Sequence, residues 1–359
     1  LSRCSRLVHA SSRVWRGGGA PRRQTAKRSQ HSYAQRRARE NMHPSSVALI
    51  TLAVVKCHAL TPKRVLVVGG SGRVGASTVR WIHKLAKAEQ LPVELAVGGR
   101  RQASFDAAAK RLGAKGVDDI KFVQLDLDDA ASLERAVAGR SLVVHTAGPF
   151  QQRTDPTLLK ACIDAGVPYC DVCDELELSR AAKKLTSHCD VPAVISCGIW
   201  PGASALLAAR AAERLGKPLD DLEFSFFTSG TGGAGPTIVS ATFLLLCTPA
   251  AVYADGELVM KEPWTEKRTA AFGPGIGARD VYLLDNPDVP TCAEALGARS
   301  ASSSFGTAPA FWNDLFGAMK LLPRSLLADR GAMQNLAEFS MPIIRAVDAL
   351  VGGVNAMRV

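Results

Sequence analysis

Gly70, Gly72 and Gly75 are spaced as G-x-G-x-x-G, between the apolar run Val65–Val68 and a helical stretch, Val74–Ala88. In that context the glycines serve three steric needs, namely a tight turn, close approach of backbone to a pyrophosphate, and packing of helix on strand. Ser71, Arg73 and Val74 complete the turn, where free N–H groups and the positive end of the helix dipole face an anion. The predicted chemistry is dinucleotide binding. The second apolar run closes on Val97-Gly98-Gly99-Arg100-Arg101. An NAD site places Asp or Glu here to accept from the ribose 2′-hydroxyl. Arg100 and Arg101 stand there instead, and a guanidinium pairs bidentately with a 2′-phosphate. NADP(H) is therefore the expected cofactor. Asp126, ending the third run, is expected to accept from the adenine amino group, with Asp128 or Asp129 as caps of the next helix. Ala147, Gly148 and Pro149 follow the fourth run. Small residues there let backbone approach the cofactor, and Pro149 stiffens the turn.

Candidates for chemistry beyond the cofactor cluster later. Tyr169, Asp171, Asp174 and Glu175 surround the fifth run, and Gly198-Ile199-Trp200-Pro201-Gly202 follows the sixth. Both segments lie where a substrate would meet the nicotinamide. Tyr169 and Asp171 are the candidate catalytic residues, orienting substrate or relaying a proton. The alternative is that Asp171 caps a turn and Tyr169 packs. His145, inside a buried strand, reads as a satisfied core histidine. No tyrosine has a lysine four residues on, which disfavours a short-chain reductase. Cys170 and Cys173 form a C-x-x-C inside a strand, where the two side chains point in opposite or skewed directions. Cys162, Cys189 and Cys197 lie within reach in sequence, but no second pair has zinc-like spacing, and no metal is expected.

These residues must be positioned by alternating elements. Strands are predicted at Arg64–Val68, Val93–Val97, Lys121–Leu125, Leu142–His145, Tyr169–Val172 and Ala193–Cys197. Helices are predicted between them, at Val74–Ala88, Ser104–Leu112, Ala130–Val137, Pro156–Ala165 and Leu176–His188. The alternation implies an α/β fold, a Rossmann-type doubly wound parallel sheet whose ligands bind beyond the carboxyl ends of the strands. After Pro201 the rhythm changes. A helix at Ala203–Leu215 leads to a period-two strand at Leu222–Thr228, then a loop, Gly230–Gly235, that either holds an anion or connects domains. Further strands are expected at Leu258–Lys261, Asp280–Leu284 and Arg299–Ser304, and helices at Thr237–Cys247, Pro309–Leu321 and Leu336–Leu350. This part reads as a second, inserted α+β domain. The expected division is a leader over 1–61, the dinucleotide-binding domain over 62–202 and the second domain over 203–359. The end, Met357-Arg358-Val359, reads as lacking a closing element, which is compatible with truncation.

The chain has 359 residues, 47% of them hydrophobic, and a net charge of +11. Residues 1–61 hold 12 Lys or Arg and one acid, so they carry the whole excess, and the rest is balanced at 32 bases and 32 acids. A balanced body gives no footprint for nucleic acid. Residues 1–41 are rich in Arg and Ser and nearly free of acids, which is transit-peptide composition. Met42 and the apolar run Val47–Val55 resemble a signal core, too short to span a membrane. An organelle is the expected destination, a plastid first and a mitochondrion as the alternative. Met42 is an alternative start. Nine scattered cysteines suit a reducing compartment. A small molecule is the expected substrate, and a homodimer stays open.

On Val65–Gly75, Leu95–Arg100, Leu142–Phe150, Tyr169–Glu175 and Ser196–Ala203, the chain resembles the saccharopine dehydrogenase-like NADP-binding oxidoreductases, in particular their plant and algal plastid branch. Phe226–Pro236 and Ser304–Pro309 look like second-domain segments of that branch. The resemblance implies NADP(H), a Rossmann domain with an inserted α+β domain, and reaction at a C–N bond. Two departures bear on whether saccharopine itself is turned over. Cys173-Asp174-Glu175 replaces a Gly-Glu pair, and Ala203-Ser204 follows Pro-Gly where lysine-pathway members carry acidic or histidine residues. Trans-acting enoyl reductases are similar too, and a cofactor-binding sensor or scaffold without turnover is the reading from another class.

Overall fold

The computed structural model of the chain describes residues 61–216, 218–231 and 235–359. Of the expected leader only Thr61 falls among them, so the targeting segments lie outside the described residues, as does the middle of the Gly230–Gly235 loop. Six strands form a parallel sheet: β1 (Lys63–Val68), β2 (Val93–Gly99), β3 (Lys121–Gln124), β4 (Leu142–His145), β5 (Tyr169–Asp171) and β6 (Ala193–Val194). Their order is β3-β2-β1-β4-β5-β6. The chain winds outward to β3, then crosses back to start again at β4 beside β1. That reversal leaves a crevice beyond the ends of β1 and β4, the switch point of doubly wound sheets.

The two windings put helices on opposite faces. α1 (Arg73–Ala88) and α2 (Gln102–Gly113) cover one, and α3 (Ala130–Val137), α4 (Thr157–Asp164) and α5 (Leu176–Thr186) cover the other. The sequence of β1 matches both faces. Val65 and Val67 pack with Val79, Phe105 and Leu112, while Leu66 and Val68 pack with Leu133, Val137 and Leu158. A strand buried on both sides needs a continuous apolar run rather than alternation. Each such side chain contributes about 1.5–3 kcal/mol on burial.

After α6 (Ala203–Leu215), a mixed sheet of seven strands follows. It contains β7 (Asp221–Ser229), β8 (Ala250–Ala254), β9 (Glu257–Lys261), β10 (Arg268–Ala271), β11 (Ala278–Leu283), β12 (Ser300–Ala308) and β13 (Val354–Arg358). The main order is β10-β11-β12-β7-β13, with β8 pairing β12 and β9. β7 and β12 run parallel over nine residue pairs, Asp221 with Ser300 to Ser229 with Ala308. Leu222, Phe224 and Phe226 alternate inward from β7, against Ala208 of α6 and Val289 and Ala293 of α8 (Asp288–Leu296). A further cluster joins Phe243 and Leu244 of α7 (Pro236–Leu245), Met319 of α9 (Phe311–Met319), Leu327 of α10 (Arg324–Leu327), and Met333 and Ala337 of α11 (Arg330–Val351).

Residues 354–358 form β13, antiparallel to β7 with Val354 opposite Ser229. No helix among the described residues is long and apolar enough to cross a membrane.

Candidate cofactor and substrate site

β1 delivers its chain into the glycine turn. Gly69 takes φ +79°, a left-handed conformation suited to glycine. Its N–H donates to Gly98 O at 2.8 Å, and Gly72 N–H donates to Gly69 O at 2.9 Å. At Gly75, a Cβ would stand 2.3 Å from Gly69 O and 2.6 Å from Gly70 Cα. Only glycine lets α1 press this close to the turn. Gly70 and Gly75 are buried by that packing, whereas Gly72, Arg73 and Val74 are exposed and Ser71 is half-buried. α1 begins with Gly72 as its cap, no side-chain cap, and no acid in its first turn. Its first N–H groups are thus free for an anionic ligand.

The neighbouring strand ends complete the rim. Val68 pairs with Gly98, so β2 and the glycine turn end level. Arg100 and Arg101 follow β2, both exposed, and neither meets a carboxylate within salt-bridge distance among the described residues. A third guanidinium, that of Arg111 on α2, donates to Ser71 O at 3.4 Å; it carries no sequence signal, because only the fold returns α2 to the turn. Asp126 follows β3. Its carboxylate accepts from Asp128 N–H at 3.2 Å and so shapes its own turn, while Asp129 caps α3 by accepting from Ser132 N–H. After β4, Thr146 is tied to Val68 O by its hydroxyl and its N–H, both at 2.8 Å. That seats Ala147 against Gly69. The next loop is held from the second sheet: Arg330, opening α11, donates to Pro149 O at 2.9 Å and Gln151 O at 2.7 Å. The fold thus gathers Gly70–Gly75, Arg100, Arg101, Asp126 and Ala147–Pro149 at the carboxyl ends of β1 to β4.

Tyr169 and Asp171 sit apart from that rim, within the protein. Both are about 4% exposed. The Tyr169 hydroxyl donates to Asp171 Oδ2 at 3.0 Å and lies 3.0 Å from His145 Nδ1. Asp171 Oδ1 accepts from Ser196 N–H at 2.7 Å and Cys173 N–H at 3.1 Å. Burial raises the Asp171 carboxyl while these bonds oppose the rise. Burial, aided by Arg153, pushes His145 down to about 4, so its ring is neutral. Its Nε2 has no protein hydrogen-bond partner, and His145 is among the residues lining a cavity of about 20 Å³, room for one water. The trio fixes the segments after β5 and β6, and it is almost entirely buried.

A second group of carboxyls is better placed for a substrate. A cavity of about 50 Å³ lies where the two sheets meet, lined among others by Asp174 after β5, Trp200 after β6, Phe226, Ser303 and Asp285. Desolvation raises Asp174 and Asp285 to about 6 and Glu175 to about 7, the nearby Asp285 charge adding to the last. Glu175 Oε2 is buried without a partner, and so are both polar atoms of the Gln151 carboxamide, which lies beside Asp174. Asp285 is anchored by Ala251 N–H at 2.9 Å. Asp285 and Gln151 carry no sequence signal, because β11 and the loop after β4 meet only in the fold.

These raised values have a testable consequence. Above the ordinary glutamate range, the folded chain keeps a proton on Glu175 that the unfolded chain has released. Stability therefore falls as pH rises from about 4.5 to about 7. Glu175→Gln removes this loss. Its melting temperature relative to the parent is expected to climb between about pH 5 and pH 8, read by calorimetry at a series of pH values. A constant difference would contradict the assignment.

An uncapped glycine turn at a switch point, with free guanidinium groups beside it, defines a Rossmann-type domain for a 2′-phosphorylated dinucleotide. Residues 65–195 match the family model of the saccharopine dehydrogenase NADP binding domain. Carboxynorspermidine synthase of Vibrio cholerae is 21% identical over 253 residues, covering 63% of this chain and 60% of that protein. The chain thus spans about 60% of the length of this curated relative. Among solved structures, saccharopine dehydrogenase (L-Glu forming) of Saccharomyces cerevisiae is similar with a TM-score of 0.48 at 18% identity, over 68% of this chain and 54% of that one. GenD2 from gentamicin A biosynthesis, in complex with NAD, gives 0.35 at 16%, over 69% and 66%.

Proposed function

We propose that the chain is an NADP-dependent oxidoreductase acting at a C–N bond, with an imine reduced to a secondary amine or the reverse. When bound, NADP(H) supplies or accepts the hydride. The observation that carries the reading is the carboxyl group Asp174, Glu175 and Asp285, desolvated at the meeting of the two sheets and raised to about 6 to 7. Such acids suit an amine in two ways. Ionised, they offset the charge of an ammonium group. Poised near neutral pH, they exchange a proton with nitrogen efficiently. Trp200 and Phe226, whose rings lie 4.7 Å apart, give the cavity an apolar wall. Tyr169 and Asp171 serve as positioning residues, holding Ser196 and Cys173 and thereby the segments that carry Trp200 and Asp174. The name of the curated relative, a carboxynorspermidine synthase, supports the C–N reading. Delivery to an organelle, a plastid before a mitochondrion, is part of the proposal and is supported by the composition of residues 1–41.

The test is loss of NADPH absorbance with a panel of amines paired with aldehydes or 2-oxo acids. At least one pair is expected to consume NADPH in step with formation of a secondary amine. NADPH bound at one per chain but consumed with no pair would overturn turnover in favour of a sensor. Consumption with enoyl thioesters alone would overturn the C–N assignment.

A further inference from the structure

The C-x-x-C of Cys170 and Cys173 does not act as a pair in the fold. Cys173 is buried with Phe150 and Leu178, where its sulfur accepts from Glu175 N–H and Ser179 Oγ, each at 3.5 Å. Cys170 points to the opposite face of β5, toward the cluster that holds Val144. Its neighbour there is Cys197, which is 27 residues away in sequence and follows β6.

Three backbone features bring the two together. β5 and β6 pair in parallel with Cys170 opposite Val194. Ser196 then takes φ +56° and donates its N–H to the Asp171 carboxylate, which draws the chain back onto β5. Cys197 N–H donates to Asp171 O at 2.9 Å, and Cys197 Sγ lies 2.7 Å from that same oxygen. The Cys197 sulfur is thereby held beside the Asp171 carbonyl, on the peptide that leaves Asp171 for Val172, one residue beyond Cys170, and the two thiols influence each other's ionisation. Cys197 is exposed and Cys170 is half-buried. Cys197, bonded through its backbone to the residue after Cys170, is thus an immediate neighbour of β5 at the position of Cys170, the arrangement of facing segments that a disulfide bridges.

We propose that Cys170 and Cys197 form a reversible disulfide, a modification site driven by small-molecule or protein disulfides. Cys197, the exposed partner, is the attacking thiolate. The Cys170 hydrogen bond, outweighing burial and the Asp171 charge, brings it down to about 7, while its partner is raised. The thiolate attacks one sulfur of an external disulfide, forms a mixed disulfide and releases one thiol. Cys170 loses its proton to water and attacks the Cys197 sulfur, releasing the second thiol. Two protein thiols are oxidised by two electrons, and one external disulfide is reduced to two thiols. The new bond ties β5 to the segment leading to Trp200, three residues beyond Cys197, which lines the cavity between the sheets.

The test treats the folded full chain with oxidised glutathione, blocks free thiols with iodoacetamide, and maps peptides without reduction. The expected product is a crosslink of the peptides holding Cys170 and Cys197, lighter by two hydrogens and reversed by dithiothreitol. Cys173→Ser is expected to form it in full, and Cys197→Ser to lose it. In Cys170→Ser, glutathione is expected to remain on Cys197. A Cys170–Cys173 crosslink would overturn the proposal. So would glutathione persisting on Cys197 of the parent chain beside an alkylated Cys170, or both thiols alkylated after treatment.

Discussion

Gly75→Ala is expected to weaken NADPH binding by at least about 100-fold. The added methyl would stand 2.3 Å from Gly69 O and 2.6 Å from both Gly70 Cα and Thr146 Oγ1. Two of these are backbone atoms, which cannot rotate away. Either α1 retreats from the turn or the turn itself opens. Both outcomes spoil the alignment of the first N–H groups with the pyrophosphate. Hydrogen bonds to a charged group contribute about 1.5–3 kcal/mol each. Loss of two therefore removes roughly two or more decades of affinity. Fluorescence titration with NADPH reads the effect, and circular dichroism checks that the sheet persists. Affinity within about threefold of the parent would mean that the turn does not hold the phosphates.

Arg100→Glu combined with Arg101→Glu is expected to invert the choice of dinucleotide. Both side chains are exposed beside the glycine turn, and no carboxylate engages them among the described residues. A 2′-phosphate would give them the bidentate partner that guanidinium geometry favours. Two carboxylates in their place repel that phosphate and accept from a free 2′-hydroxyl, as an acid does at this position in NAD sites. The ratio of NADH to NADPH dissociation constants is expected to fall by about 100-fold or more, from two charge-assisted contacts. A ratio that stays put would make the arginines plain surface charge. If the ratio instead falls only partway, Arg111, which reaches Ser71 O from α2, supplies the remainder.

The parallel half of the fold is legible in the sequence because its signals are local. β1 and β4 are short apolar runs, and the helices between strands show their own periodicity. The glycine turn declares itself by spacing and context. The second half is legible in part. Asp255 and Gly256, both at positive φ, turn β8 into β9. An Asp-Gly pair is a hairpin signal, but β8 is an alanine-rich strand whose pairing is visible only in space. α8 escapes a sequence reading because Pro287 and Pro290 mark its first turn as a loop, although proline is tolerated there. β13 is an edge strand whose partner, β7, lies more than 120 residues earlier. The same limit governs the site. Residues that follow strand ends can be placed on one rim by topology alone. Asp285, Gln151, Arg330 and the Cys170–Cys197 pair depend on contacts between segments far apart in the chain.

Calorimetric titration of the full chain with NADPH, and in parallel with NADH, probes the cofactor site most directly. Heat saturating at one NADPH per chain, with NADH at least about tenfold weaker, is the predicted result. Equal affinity for the two, or no heat from either, would contradict an anion-binding turn served by Arg100 and Arg101.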